Sequence, residues 1–349
     1  MNPLQYRSPG PSGHPLPSGE GFFFNHTREE VAEIVGKTAL ASDLFKSVYL
    51  NHATDATPFH VKLPTIVRSF QSEDGTQRFL LRLEDGEMVE SVIIPGGDRL
   101  TFCVSSQVGC ALACTFCLTG LLGLTRNLTA GEIVSQVVLL ARNGLSTRFS
   151  VVLMGMGEPL QNYDNVLKAI AILNDDHGYN LSSRRITLST AGLVPGLERL
   201  AREPLFPNLS ISLTGATNTL RDQLMPINRK YPIEDILKVV RSLPPQRQKR
   251  VMLEYVMIKG VTDSLADART LSELIGAVPL KVNLIPFNSA PELGFARSND
   301  DDVLRFHAFL LEKGVATFVR RSRGADVSGA CGQLMKKSLT ASSTDSQRR

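Results

Sequence analysis

Three cysteines are the residues of this sequence whose type and spacing most clearly indicate chemistry. Cys110, Cys114 and Cys117 lie in the run SQVGCALACTFC with the spacing C-x3-C-x2-C. An iron–sulfur cube normally takes four cysteine ligands, so three thiolates would leave one iron with an open coordination position. An iron with an open position can bind a substrate or cofactor directly. The spacing therefore favours a catalytic cluster over a purely structural one.

Zinc and disulfide bonds are the alternative uses of these cysteines. A structural zinc site needs four closed ligands, but Cys103 lies in a predicted strand and the first histidine after the triplet is His177. Disulfide frameworks are typical of small secreted proteins. This chain has 349 residues, five cysteines and no apparent secretory signal. Both alternatives fit less well than a cluster, and thiols kept reduced for a cluster indicate the cytoplasm.

The composition indicates a globular α/β protein. With 42% hydrophobic residues, the chain can bury a full core as one large unit with a small appendage. No apolar run approaches the length of a membrane span, so no membrane partner is expected. The net charge of +4 is compatible with a nucleic-acid partner but does not establish one. Residues 1–24, rich in Pro, Gly and Ser, are predicted to be a disordered leader, and residues 336–349 a flexible tail.

Hydrophobic periodicity predicts a regular alternation of strands and helices from Leu100 onward. The first strand is TFCVSSQV, and the helix TAGEIVSQVVLLARNG then begins at a capping box of Thr129 and Glu132. Regular alternation favours parallel strands joined by right-handed crossovers. About six such units are too few for a closed eightfold barrel. The predicted fold is therefore α/β, with a partial, open (β/α)6 barrel over residues 96–335.

A small α+β extension is predicted over residues 25–95, before the barrel. One or two short helices are expected between Thr27 and Leu50. A β meander is expected over residues 64–92, around the turn signal Glu84-Asp85-Gly86.

Residues suited to ligand binding follow the ends of the predicted barrel strands. Gly157 and Glu158 follow the strand VVLM, and Asn288 follows KVNLIPF. Ser189 ends the strand RITLS, and Ser212 ends NLSIS. In barrels of parallel strands the chemistry collects at the C-terminal strand ends. Because the cysteine loop follows the first strand, we expect five strand ends to converge on one rim.

Six ordered motifs are more specific than the triplet alone. They read CVSSQVGCALACTFC, RNLTAGEIVSQV, MGMGEPLQNYDNV, LMPINRKYPI, KVNLIPFN and RGADVSGACGQL, within a match that runs from about Glu84 to Leu334. In these motifs the sequence resembles the RlmN/Cfr family of radical S-adenosylmethionine (SAM) adenine methyltransferases. The resemblance implies that the partial barrel is a radical-SAM barrel.

The resemblance also implies two cofactors, a [4Fe–4S] cluster and SAM. The three cysteines of the triplet would hold the cluster, and its open iron would chelate the amino and carboxylate groups of SAM. Glu158 would offer a carboxylate to the cationic amino end of SAM. The SAM-contacting positions implied are Gly157, Glu158, Ser189, Ser212, Leu213, Thr214 and Asn288. Thr214 departs from the pattern, because the family commonly has a histidine there, which excludes a side-chain role for an imidazole.

For catalysis, the resemblance implies a carbon transfer through a cysteine. Cys331 would be methylated by a first SAM, and a radical from a second SAM would take a hydrogen from that methyl group. The methylene radical can add to C2 of adenine, which is electron-poor and no nucleophile. Glu90 would accept the proton of the ring carbon. Cys103 would then attack the sulfur of Cys331 to release the product, a thiol–disulfide exchange.

The implied partners are 23S rRNA, with tRNA as a further substrate, and an electron donor such as flavodoxin. Basic residues at 184–185, 246–250, 320–323 and 336–337 suit phosphate binding that weakens with salt. Ordinary solvated surface accounts for each of these clusters equally well.

Three alternatives to C2 methylation stay open at this point. The same fold could methylate C8 of adenine, as the Cfr branch does, and no residue of this sequence decides between the two positions. A radical-SAM enzyme acting on a protein or a small molecule would not need Cys103 and Cys331. An iron–sulfur or zinc RNA-binding protein without activity is the remaining alternative.

Overall fold

A computed structural model of the chain describes residues 22–144 and 148–334. Within these ranges the chain forms ten α-helices, fourteen β-strands and a π-helical turn at Lys46–Leu50. The helices are α1 (Arg28–Val35), α2 (Thr38–Phe45), α3 (Ala130–Asn143), α4 (Tyr163–Asn174), α5 (Val194–Leu200), α6 (Asn218–Leu224), α7 (Ile233–Ser242), α8 (Pro245–Gln248), α9 (Leu265–Ile275) and α10 (Asp300–Glu312). The strands are β1 (Asp55–Ala56), β2 (Phe59–His60), β3 (Thr65–Gln71), β4 (Gln77–Arg82), β5 (Met88–Gly96), β6 (Arg99–Cys103), β7 (Gln107–Cys110), β8 (Gly123–Asn127), β9 (Phe149–Leu153), β10 (Ile186–Thr190), β11 (Asn208–Ser212), β12 (Val251–Met257), β13 (Lys281–Pro286) and β14 (Ala316–Val319).

Ten of the strands form one sheet in the order β14-β13-β12-β11-β10-β9-β6-β5-β4-β3. The seven strands from β14 to β6 are all parallel, and helical crossovers connect them. In the part of the chain that the structure describes, β3 and β14 are the two outer strands, and they do not pair with each other. The prediction of an α/β fold with a partial barrel and an N-terminal extension is confirmed.

The meander of the extension continues the barrel sheet. Strand β5 pairs antiparallel with β6, and Val92 lies opposite Cys103. Strands β4 and β3 then add to the outer edge of β5. Cys103 therefore lies where the antiparallel and parallel parts of the sheet meet, which the sequence did not reveal.

Helix α3 illustrates how the sequence forms a helix that packs its apolar face into the core. The side chain of Thr129 accepts a hydrogen bond from the Glu132 backbone N–H at 3.1 Å, and the Glu132 carboxylate accepts one from the Thr129 N–H at 2.8 Å. This is the predicted capping box. The helix packs its apolar face into the main core, burying Ile133, Val134, Val137 and Val138. Burial of each such side chain contributes about 1.5–3 kcal/mol.

The first barrel strand is shorter than the predicted run TFCVSSQV. Strand β6 ends at Cys103, and β7 instead forms a separate hairpin with β8. The chain leaves the sheet because the Ser106 and Gln107 N–H groups both donate to the Met156 carbonyl, at 2.9 and 3.1 Å. The hydroxyl of Ser105 donates to the Glu90 carbonyl at 2.6 Å. These contacts separate Cys103 from the cysteine loop.

The N-terminal helices are confirmed, and the extension includes residues that the sequence analysis gave to the leader. Phe23 and Phe24 are buried, and their rings contact Tyr49. Residues 1–21 of the predicted leader, and the whole predicted tail at 336–349, lie outside the described residues. Among the helices of the described ranges, none combines the length and the apolar character that crossing a bilayer requires.

Arg221 on α6 ties the ends of two barrel strands together. Its guanidinium is fully buried and donates to the carbonyls of Leu213 at 3.0 Å, Ser212 at 3.2 Å and Ala191. It also donates to the Asn228 side-chain oxygen at 2.7 Å. Burial lowers the pKa of Arg221 to about 10. One cation thus fixes three backbone carbonyls beside the rim where the predicted site lies.

We expect Arg221→Met to destabilise the protein strongly. Methionine fills a similar volume but leaves buried carbonyls without donors, which should lower the free energy of unfolding by about 3–5 kcal/mol. Urea denaturation measures this value. Arg241→Met is the matched control, because Arg241 is exposed and its side chain donates to the Leu274 carbonyl at 2.8 Å. Equal losses in the two variants would contradict the role given to Arg221.

Candidate active site

A cavity of about 170 Å³ lies at the C-terminal ends of the barrel strands. The five strand ends expected to converge do line this one cavity. The lining residues that matter below are Cys110, Cys114, Cys117, Gly157, Glu158, Ser189, Ser212, Glu254, Asn288, Arg320 and Cys331. We call this space the thiol cavity, after the cysteines of the triplet.

The loop that carries the three cysteines is held by backbone contacts. The Cys117 N–H donates to the Cys114 carbonyl at 3.2 Å, and the Gly120 N–H donates to the Cys117 carbonyl at 3.0 Å. A Cβ on Gly120 would lie 2.9 Å from the Cys114 carbonyl oxygen, so the tight turn needs glycine there. These bonds turn all three thiols toward one space.

The three thiols fit a thiolate-binding metal cluster. All are free cysteines, and burial raises the pKa of Cys110 to about 11 and those of Cys114 and Cys117 above their usual value. Such thiols stay protonated unless a cation compensates their charge, and a bound metal deprotonates its thiol ligands. Three sulfur donors converging on a cavity with space beside them match a cluster with one open position.

Gly157 and Glu158 form a tight loop over β9. Gly157 has φ +103°, and a Cβ there would lie 2.5 Å from the Gln107 side chain. The Glu158 carboxylate accepts bonds from the N–H groups of Ala191 at 2.7 Å and Leu160 at 3.0 Å. Burial raises the pKa of Glu158 to about 7. The carboxylate is thus fixed in a site where a cationic partner would favour its ionised form.

The predicted SAM-contacting positions separate into two groups. Ser189, Ser212 and Asn288 line the thiol cavity together with Gly157 and Glu158. Leu213 and Thr214 are not among its lining residues in the described ranges. Thr214 is fully buried with φ +52°, and its N–H points at the Glu254 carbonyl, 3.4 Å away. The roles of Leu213 and Thr214 therefore stay predictions.

Cys331 lies where the thiol cavity meets a second, smaller cavity. This second space, the resolving cavity, is also lined by Cys103, Ile94, Met154 and Arg320. Cys331 is common to the walls of both cavities. The structure thus brings together the two cysteines outside the triplet, although they are 228 positions apart in the sequence.

Arg320 is the site residue that sequence reasoning missed. It was assigned to a basic surface cluster, but it is partly buried and lines both cavities. The charge of Cys331 raises the pKa of Arg320. Burial raises the pKa of the Cys103 thiol to about 12, and Arg320 acts in the opposite direction. No local pattern could have found this residue, because Cys103 lies on a distant strand and Cys331 lies in a segment without helix or strand periodicity.

Glu90 is fully buried on β5 and does not line either cavity in the described chain. Its carboxylate accepts a bond from the Arg78 guanidinium at 2.6 Å. Glu90, Val92 and Ile94 alternate along one strand, so their side chains share a face of the sheet. Val92 pairs with Cys103, and Ile94 lines the resolving cavity. Glu90 therefore faces the same side as Cys103, two residues away along β5.

Comparison with known proteins gives the chain a family. The model of the radical SAM superfamily matches residues 104–271. The dual-specificity RNA methyltransferase RlmN of Geobacter sulfurreducens is 52% identical over 266 residues, covering 76% of this chain and 73% of the relative. The protein of that name from Rhodospirillum rubrum is 46% identical, covering 90% and 80%. The chain belongs to the RlmN family of radical-SAM methyltransferases.

A solved structure agrees with membership of the RlmN family. The crystal structure of a radical SAM methyltransferase from Sphaerobacter thermophilus matches with a TM-score of 0.85 and 41% identity, over 90% of this chain and 98% of the other. Radical-SAM enzymes use a [4Fe–4S] cluster and SAM, and the sulfur donors and buried carboxylate of the thiol cavity fit these two groups.

We expect Gly157→Ala to destabilise this RlmN-family protein by at least about 2 kcal/mol, because a Cβ there meets the Gln107 side chain in addition to the strain of a positive φ. Gly260→Ala is the control. Gly260 also has a positive φ, +70°, but nothing lies within 4 Å of its added Cβ. The Gly260→Ala substitution should lower the free energy of unfolding by only about 1 kcal/mol. Urea denaturation compares the two, and an equal decrease would contradict the packing argument.

Proposed function

We propose that this protein is a radical-SAM methyltransferase that places a methyl group on C2 of adenine in 23S rRNA and in tRNA. In rRNA, the proposed target lies in the peptidyl-transferase region. The observation that carries the proposal is the position of Cys331 at the junction of two cavities. A cysteine that carries a carbon must meet the donor of that carbon on one side and a resolving thiol on the other. The RNA substrate is supported by the relatives that carry the name dual-specificity RNA methyltransferase.

Cys110, Cys114 and Cys117 would hold the cluster, and the remaining strand ends would hold SAM. Bound there, these groups would supply the methyl group and the radical that takes a hydrogen from it. Glu158 would bind the amino end of SAM as a carboxylate, because its position is fixed by two backbone N–H groups. Ser189, Ser212 and Asn288 would contribute polar contacts from three other strand ends. Leu213 and Thr214, which follow Ser212, would act through their backbone.

Cys331 would accept the methyl group on its sulfur, beside Arg320, which lines the same two cavities. Arg320 is common to the walls of both cavities, and the interaction with Cys331 raises its pKa. In a partly desolvated site, a fixed cation stabilises a nearby thiolate more than it would in water. Arg320 would thus contribute to both thiol steps without leaving its position.

Release of the product would use Cys103 and Glu90. Glu90 would take the proton from the ring carbon of adenine. The unpaired electron left by the radical addition would pass to the bound cluster, which leaves a closed-shell thioether between Cys331 and adenine. The Cys103 sulfur would then bond to the Cys331 sulfur, while the bond from the Cys331 sulfur to the transferred carbon breaks. The electron pair of that bond goes to the carbon, which takes up a proton to become the methyl group. Because burial raises the pKa of Cys103 to about 12, this attack needs the proton removed and benefits from Arg320.

The proposal also includes an electron donor and a cellular compartment. The radical step consumes an electron, which we assign to an electron donor such as flavodoxin. The five free cysteines suit a reducing compartment, so we assign the activity to the cytoplasm.

The product nucleoside tests the proposal most directly. Anaerobically reconstituted protein, given SAM, a reductant and an rRNA fragment or tRNA, should form 2-methyladenosine. Mass spectrometry with chromatographic standards separates it from 8-methyladenosine. Formation of 8-methyladenosine would instead identify Cfr-type methylation. A protein that cleaves SAM but methylates neither RNA would exclude RNA as the substrate.

Substitutions of the two cysteines outside the triplet test the route of the carbon. Cys331→Ala should lower methylation by at least about a thousandfold, because the carrier sulfur is gone. Cys103→Ala should trap the RNA on Cys331, which a denaturing gel would show as a covalent RNA–protein adduct. The double variant is the control and should form no adduct. Full activity of Cys331→Ala, or no adduct with Cys103→Ala, would contradict the methyl-cysteine route.

A further inference from the structure

Two loops of the meander have the same sequence pattern and the same backbone structure. One connects β3 to β4 and reads Ser-Glu-Asp-Gly-Thr at 72–76; the other connects β4 to β5 and reads Leu-Glu-Asp-Gly-Glu at 83–87. In each loop, the first residue donates its N–H to the carbonyl of the fifth, at 2.8 Å. In each, one oxygen of the aspartate accepts the N–H two residues on, at 2.9 Å for Asp74 and 3.0 Å for Asp85.

The two loops differ in what the second oxygen of the aspartate contacts. The second oxygen of Asp85 accepts a bond from the Arg126 side chain at 2.7 Å. The second oxygen of Asp74 accepts a bond from the Gly324 N–H at 3.0 Å. Gly324 begins the segment at 324–334 that carries Cys331, which we call the carrier segment.

The carrier segment also accepts hydrogen bonds from the loop at 72–76. The Asp326 carboxylate accepts bonds from the Ser72 hydroxyl at 2.6 Å and from the Glu73 N–H at 3.3 Å. Loop and segment therefore exchange three hydrogen bonds, each with a carboxylate as acceptor. A Cβ on Gly324 would lie 2.6 Å from the Thr76 side chain, so a larger residue there would clash with the loop.

The other end of the carrier segment is fixed by the barrel. The Asn288 side chain donates to the Cys331 carbonyl at 3.0 Å. The Leu118 N–H, in the loop after the triplet, donates to the Gly332 carbonyl at 2.8 Å. These bonds tie the end beside Cys331 to the rim, and the loop at 72–76 ties the beginning to the meander. The carrier segment is thus anchored at both ends, and Cys331 lies at the end that the barrel holds.

We propose that Asp74 and Asp326 are positioning residues that hold the carrier segment so that Cys331 faces Cys103. The inference rests on the proposed function, in which these sulfurs must meet. The carboxylates act through the segment backbone and touch neither substrate nor cofactor. The loop at 83–87 has the same structure but contacts Arg126, so it does not share this role.

The pairing of the two thiols can be measured without SAM or RNA. The cluster-loaded protein is equilibrated anaerobically with reduced and oxidised glutathione, and the fraction with a Cys103–Cys331 disulfide is determined by mass spectrometry. Protein thiols are oxidised to the disulfide while one glutathione disulfide is reduced to two thiols. The resulting equilibrium constant reports how well the segment presents one sulfur to the other.

We expect Asp74→Asn to lower this constant about threefold, the size of effect expected from one exposed hydrogen bond. Asparagine keeps the oxygen that accepts the Thr76 N–H but cannot accept the Gly324 N–H with its second group. Asp326→Ala should have a similar effect from the other side, and the two together should lower the constant about tenfold. Hydrogen exchange of residues 324–334 should rise in the same variants.

Asp85→Asn is the matched control, because it makes the same chemical change in the same kind of loop. It should leave the constant and the exchange of the carrier segment unchanged. Equal equilibrium constants for disulfide formation in Asp74→Asn and Asp85→Asn would overturn the inference. If Asp74→Asn does not fold, Asp326→Ala takes its place, and an unchanged constant in that variant would overturn the inference. Wild-type protein that forms the disulfide normally but methylates no RNA would reject the proposed function and leave the positioning role intact.

Discussion

The pairing of β5 with β6 is the constraint on which the rest of the structure depends. It joins an antiparallel meander to a parallel barrel in one sheet, with Val92 opposite Cys103. Backbone hydrogen bonds fix this register, and a shift by one residue would turn Cys103 to the other face of the sheet. The resolving cavity, the face that carries Glu90 and the loop that holds the carrier segment all follow from this register. The extension thus contributes a wall, through Ile94, to the cavity that Cys103 and Cys331 share.

A second property of the site is that its ionisable groups are buried with little opposite charge from the protein beside them. The triplet thiols, the Cys103 thiol and the Glu158 carboxyl all have pKa values that burial raises. The protein alone therefore favours the neutral form of each of these groups. Their ionised forms require cations, which arrive with the bound groups or, for Cys103, come from Arg320. The site is electrostatically prepared for its ligands and disfavours the charged state without them.

The sequence predicted those parts of the fold and site that depend on local patterns. The alternation of strand and helix periodicity predicted the barrel, and the capping box at Thr129 predicted the start of α3. Residues at strand ends, such as Ser189 and Ser212, could be placed because parallel strands end at one edge. Arg221 and Arg320 could not be found in this way, since their roles depend on tertiary contacts, such as those with the Ala191 carbonyl and the Cys103 thiol, that no local pattern shows. Periodicity also could not end β6 at Cys103, because the bonds that turn the chain there are made with the Met156 and Glu90 carbonyls.

The anchoring of the carrier segment also affects the order in which the parts of this protein can fold. The bonds between Ser72 and Asp326 and between Asp74 and Gly324 join residues 254 and 250 positions apart. Contacts of such long range form late in folding, because a large loop must close first. The three cysteines of the triplet belong to the first part of the barrel, so their loop can form before the carrier segment docks. An incompletely folded molecule would then have the triplet loop in place but not Cys331 beside it, so the thiol cavity would be completed last.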